Sequence, residues 1–83
     1  MKRKQDAPYL EMGEYFQKLR QTEFTSALAL FKEPEIKSKF TFSYSKYADF
    51  ERGVVLPAID EVLQITKFFK AEEAEAALLW AKV

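Results

Sequence analysis

The sequence predicts an all-α fold, and three observations predict it. Only two Gly and three Pro punctuate the 83 residues, the sparse spacing of a helical domain. Apolar side chains recur at i, i+3, i+4 and i+7 in several segments, the period of an amphipathic helix. Alternation of the kind a strand needs is confined to residues 36–44, IKSKFTFSY. With 48% apolar residues, among them eight Phe, four Tyr and one Trp, a chain of this length allows one domain around one modest core.

A first helix is predicted over residues 9–21, where Met12, Tyr15, Phe16 and Leu19 make one apolar face. A second is predicted over 25–33, with Thr25 as N-cap and Phe24, Ala27, Leu28 and Phe31 repeating the spacing, until Pro34 interrupts it. Residues 34–42 admit two readings. In one, the second helix ends before Pro34 and a long loop follows, pinned by Ile36, Phe40 and Phe42. In the other, Pro34 opens a helix over 35–40, a position Pro tolerates, and 25–33 is an extra piece. The first is preferred for its better face and cap.

A third helix is predicted over 45–52, capped by Ser43 or Ser45 and closed by Gly53, which can take the left-handed conformation. Val54, Val55 and Leu56 lead to a fourth helix, which opens at Pro57 and Ala58 and runs to about Phe69. Its buried stripe is Ile59, Val62, Leu63, Thr66 and Phe69. A fifth, over 72–82, puts Ala74, Ala77, Leu78 and Ala81 on one face and glutamates at its start, where they suit the helix dipole. Phe40, Phe42, Tyr47 and Phe50 are expected in the core. Residues 1–8 read as a flexible basic arm and 9–83 as a single domain. The helical pattern is still running at Val83, which fits a natural end or the first module of a longer chain.

Composition narrows the function. The chain has no Cys, which removes disulfides, thiolate nucleophiles and zinc-thiolate sites. It has no His, the usual general base and commonest metal ligand. Carboxylates, Lys, Tyr and hydroxyls remain, with no paired-acid spacing, so no enzyme, cofactor or metal site is expected. Net charge is zero, but its distribution is uneven. Residues 36–48 hold Lys37, Lys39 and Lys46 and no acid, whereas 47–83 hold four basic and seven acidic residues. That mild polarity can orient a protein on a phosphate backbone. The basic start runs into Asp6 and Pro8 rather than an apolar stretch, and no apolar run can span a bilayer, so a cytoplasmic protein is expected.

The run at 43–57, SYSKYADFERGVVLP, says most about function. A polar segment leads into a helix bearing Tyr47 and Phe50, Gly53 stops it, and a new helix opens after Pro57. This segment resembles the recognition helix and following turn of the lambda-repressor-like helix-turn-helix family, also called the Xre or Cro type. There the recognition helix often ends in Ile-Glu-Arg-Gly or Ile-Glu-Asn-Gly, with a Pro close behind. Phe50, Glu51, Arg52 and Gly53 stand in that place, and Pro57 follows.

The resemblance covers residues 10 to about 70 and is most specific over 43–69. It implies a five-helix DNA-binding domain, here with a lengthened connection between its second and third helices. The third helix would enter the major groove while the second lies over the backbone. Carried over by position, Tyr44, Ser45, Lys46 and Asp49 face the groove, Ser43 beside them counts among the DNA-binding residues, and Thr25 and Ser26 meet a phosphate. Arg52 and Lys39 lie near phosphates, and Lys2, Arg3 and Lys4 form an arm gripping the duplex. The implied function is sequence-specific binding of double-stranded DNA in a prokaryotic or phage-type transcriptional regulator. A homodimer would sit on two half-sites about one turn apart.

A second reading stays open. The groove positions lack the Gln and Arg that read bases by paired hydrogen bonds, and the loop after Gly53 is apolar. A protein-interaction or antitoxin-like module would keep the fold and bind a partner through Val54, Val55 and Leu56 or through Trp80.

Overall fold

The computed structural model describes residues 8–82. The predicted arm of Lys2, Arg3 and Lys4 lies outside them. The described residues form helices only: α1 (Leu10–Gln21), α2 (Ala27–Phe31), α3 (Ile36–Lys39), α4 (Tyr44–Arg52), α5 (Ile59–Phe68) and α6 (Glu73–Ala81). All-α is therefore right. The count is six rather than the predicted five, because the segment after Pro34 forms a helical turn of its own.

That segment resolves the two readings of residues 34–42 into a mixture. Helix α2 ends at Phe31, two residues before the expected limit, and Ser26 rather than Thr25 caps it, its Oγ accepting from the Ala29 N–H at 3.1 Å. Pro34 precedes α3 and does not enter it. A ring cluster joins α2 to α4 where a tight turn was absent. Phe31 meets Phe40, Tyr44 and Tyr47 with centroids 5.5–5.8 Å apart, and Phe40 stacks on Phe42 at 4.7 Å. Phe42 in turn meets Phe50 edge-on at 5.3 Å. Such pairs add to the stabilisation from burial alone, so Ile36, Phe40 and Phe42 pin the connection as buried side chains. Thr41 and Gln64 then tie it to α5. The Thr41 N–H donates to Gln64 Oε1 at 2.9 Å, and Gln64 Nε2 donates to Thr41 Oγ1 at 3.1 Å.

The core is Met12, Phe16, Leu30, Ile36, Phe40, Phe42, Tyr47, Phe50, Val62, Ile65, Phe69 and Ala76. Three predicted faces are corrected. In α2, Leu30 is buried and Leu28 is 52% exposed, because the shift of the cap to Ser26 leaves a short helix whose inward positions are Ala27, Leu30 and Phe31. In α5, Ile59 is exposed and Ile65 buried, since the helix packs through 62, 65, 66 and 69. In α6, Ala76 is buried and Leu79 and Trp80 pack on the core, while Leu78 is 69% exposed. The indole N–H of Trp80 donates to the Pro57 carbonyl at 2.7 Å, which sets the rotation of α6.

Helix α4 is held by α1. Both glycines of the chain lie at this junction. A Cβ on Gly13 would come 2.5 Å from the Glu51 carbonyl oxygen and 2.8 Å from that of Phe50. Gly53, at φ +78°, ends α4 in the left-handed region, and a Cβ there would lie 2.6 Å from Leu10 Cα. The helices therefore touch backbone to backbone. The Tyr9 N–H donates to the Gly53 carbonyl at 2.9 Å, and Gln17 Nε2 to the Glu51 carbonyl at 2.9 Å.

Across this contact runs a buried two-pronged ion pair. Arg20 Nε donates to Glu51 Oε2 at 2.7 Å and Nη2 to Oε1 at 3.1 Å, each side chain 9% exposed. A third donor, Nη1, reaches the Phe24 carbonyl at 3.3 Å. Hydrogen bonding to Glu51 raises the Arg20 pKa above its ordinary value. Burial and the Glu51 carboxylate push the Tyr47 phenol well up, so it stays neutral beside the pair. The Tyr47 hydroxyl has no hydrogen-bond partner among the described residues.

Removing one member of this pair is expected to cost far more than removing both, because a lone charge is left buried. Arg20→Met should destabilise by about 3–5 kcal/mol, and Arg20→Met with Glu51→Leu should recover most of that loss. Urea denaturation of the two single variants and the double variant checks it; additive losses would contradict the coupling. Gly13→Ala tests the close approach. Ala ordinarily gains about 1 kcal/mol over Gly in a helix. Here backbone atoms must move apart, so a net loss of about 2 kcal/mol is expected by the same measurement.

Candidate nucleic-acid interface

The ion pair and the two glycines fix the rotation of α4, and that rotation decides what the helix offers to solvent. Tyr47, Phe50 and Glu51 point inward. Tyr44, Ser45, Lys46 and Arg52 are exposed, with Ala48 and Asp49 half-buried between them. The helix starts one residue earlier than predicted. Ser43 is its N-cap, its Oγ accepting from the Lys46 N–H at 3.3 Å, and Gly53 closes it in the left-handed conformation. Ser43 therefore has a structural duty of its own. Tyr44, 43% exposed, leans edge-on against Phe31 and leaves its other side open.

Each basic side chain on this face already has a carboxylate. Lys46 Nζ lies 3.1 Å from Glu61 Oε2, with the two side chains 49% and 13% exposed. Arg52 Nη2 pairs with Asp49 Oδ1 one turn back. Glu61 has a second task. Its Oε1 accepts from the Ala58 N–H at 2.9 Å, the side-chain half of a capping box whose other half is lost because Ala stands where Ser or Thr would cap. One carboxylate thus closes the start of α5 and holds the ammonium of Lys46.

The other sequence-predicted residues are spread more widely. Ser43, Tyr44, Ser45, Lys46, Asp49 and Arg52 come together on or at the start of α4. Thr25 and Ser26 are exposed at the start of α2, with the Ser26 hydroxyl engaged in its cap. Lys39 ends α3 and lines a shallow groove of about 370 Å³ over the C-terminal half of α5, with Glu35, Ser38, Gln64, Lys67, Phe68 and Lys70. Of the residues considered for a partner, Val54 is exposed and Val55 and Leu56 are half-buried. Trp80 is half-buried, with its polar edge bonded inside the domain.

Glu61 was missed in the sequence. The signal existed: a Glu three residues after the residue before a helix is the second half of a capping box. Its contact with Lys46, fifteen residues back, requires the tertiary fold.

Among the described residues, no group of three or more His, Cys, Asp or Glu could hold a metal ion, and no helix is long and apolar enough to cross a membrane. The face can form hydrogen bonds and salt links through hydroxyls, one ammonium, one guanidinium and one carboxylate. No protein-family model matches the chain, and no curated protein or solved structure matches it at a significant level.

Proposed function

We propose that this domain binds double-stranded DNA through the outward face of α4, as the DNA-binding part of a prokaryotic or phage-type transcriptional regulator. The observation that carries the reading is the presentation of α4. The helix is clamped to α1 along one side and carries Tyr44, Ser45, Lys46, Asp49 and Arg52 on the other. A helix held this way can enter a major groove as a rigid body. In the mechanism, Lys46, Arg52 and the lysines of α3 supply salt-dependent attraction to phosphates. Tyr44, Ser45 and Asp49 meet base edges, where a carboxylate suits the amino group of cytosine.

One observation favours a second reading, a protein-interaction module. The two basic groups of the face are each matched by a carboxylate, so the face offers little net attraction to a polyanion.

The deciding experiment is an NMR titration of the labelled domain with a short random-sequence duplex at low salt. DNA binding predicts shifts centred on Tyr44, Ser45, Lys46 and Asp49 that fade as salt rises; no shifts would end the DNA reading and favour the protein-interaction one. Glu61→Gln sharpens the test, since it frees Lys46 yet keeps an oxygen for the Ala58 N–H. Affinity is expected to rise about three- to tenfold, with the log–log salt slope steeper by about 0.9, as for one added phosphate contact. Asp60→Asn makes the same change of net charge one residue away and should do less. Equal effects of the two would remove Lys46 from the interface.

A further inference from the structure

Helix α6 packs on α5 and α1 through Ala76, Leu79 and Trp80 and leaves the opposite side to solvent. That side holds Ala74, Leu78, Ala81 and Lys82, with Glu75 at its edge toward α1, where its carboxylate helps raise the Tyr15 pKa; all five are exposed. Leu78 at its centre is 69% exposed, the most exposed large apolar side chain of the described residues. Glu75, Leu78, Leu79, Ala81 and Lys82 line a shallow depression of about 490 Å³. Small alanines on either side of a projecting Leu let another helix approach closely.

The charges on this face are arranged with a symmetry. Glu75 and Lys82 lie two turns apart, and the midpoint between them falls between Leu78 and Leu79. Two copies of α6 laid antiparallel about a two-fold axis at that midpoint would bring Glu75 of each onto Lys82 of the other, with Leu78 of both copies between them. Laid parallel, the same helices would put the two copies of each charge on opposite flanks and form neither pair. The acidic first turn, Glu73 and Glu75, also falls beside the C-terminal end of the second helix, where the antiparallel dipoles are satisfied. This is the self-complementary pattern of an isologous contact, with flanking charges selecting the orientation as they do in coiled coils.

We propose that the outward face of α6 is a self-association surface, on which a second copy of this chain docks antiparallel through Leu78 with reciprocal Glu75–Lys82 pairs. The face is one short helix long, so it falls below the roughly 1,200 Å² of a standard interface, and the dimer is weak. The proposal goes beyond the DNA reading and does not depend on it: its test contains no DNA.

The test is sedimentation equilibrium on the chain over a range from about 10 µM to about 1 mM, where a weak dimer populates. Leu78→Glu, at a solvent-exposed position, should leave the helical circular dichroism unchanged and weaken dimerisation on the order of a hundredfold. Lys82→Glu turns two attractions into two repulsions and should weaken it about tenfold. Glu75→Lys should do the same, and Glu75→Lys combined with Lys82→Glu should restore association to within about twofold. Restoration by the double exchange is the signature of an antiparallel pair, because residues 75 and 82 of one helix are too far apart to compensate each other. A chain that stays monomeric to about 1 mM overturns the proposal and leaves the face to another protein. Association that ignores Leu78→Glu, or that the double exchange fails to restore, overturns it equally.

Discussion

The arrangement of this domain depends on how closely α1 approaches α4. Two backbones in contact leave no room for a side chain between them, and the chain meets that constraint with its only two glycines, Gly13 and Gly53. Close approach brings the Arg20 guanidinium within reach of Glu51, where both charges are shielded from water and bonded in two-pronged geometry. Glycine and ion pair therefore support each other. The pair is short because the helices touch, and the helices stay in register because a buried charge that slips loses its partner at high cost. The direction in which Tyr44, Ser45, Asp49 and Arg52 point is a consequence of this junction rather than a preference of the residues themselves.

The other end of α4 is set differently. A tight turn would fix it by backbone geometry alone. Here twelve residues lie between Phe31 and Tyr44, and aromatic packing does the fixing. Phe31, Phe40, Phe42 and Tyr47 form a continuous set of ring contacts, with Thr41 and Gln64 holding the loop to α5. Rings tolerate small shifts that an ion pair does not. Helix α4 is thus anchored by the glycine contacts and the ion pair near its C-terminal end and by packed rings near its N-terminal end.

What could be read from the chain follows the strength of its local signals. The strong period of Met12, Tyr15 and Phe16, and the Ser43 cap with Gly53 as stop, placed α1 and α4 within a residue or so. The apolar pins Ile36, Phe40 and Phe42 were legible because large apolar side chains in a polar stretch must find a core. The face of α6 was not legible. In EAEAALLWA, apolar at seven of nine positions, periodicity does not choose a side; Ala76, Leu79 and Trp80 pack inward, with the Trp80 indole on the Pro57 carbonyl. Leu28 and Leu30 were exchanged for a related reason, since five residues are too few for periodicity to choose a side. Of the candidate site, the cluster on α4 could be named, but the carboxylate of Glu61 could not be placed against Lys46 without the packing of α5.

That carboxylate changes how the α4 face works. A phosphate approaching Lys46 must displace Glu61 or share the ammonium with it, and Glu61 is itself held by the Ala58 N–H, so it cannot simply swing away. On the other side Asp49 answers Arg52. A face with paired charges draws little from long-range attraction and gains most from short-range fit, so non-specific affinity falls more than specific affinity. If α4 reads DNA, the reading rests on side chains that touch bases and on the simultaneous use of two copies. Linking two weak contacts makes the second intramolecular and multiplies the affinity without any added charge. The neutral composition of the chain, which on its own argues against a nucleic-acid partner, would then be that of a binder that discriminates by contact and number rather than by field.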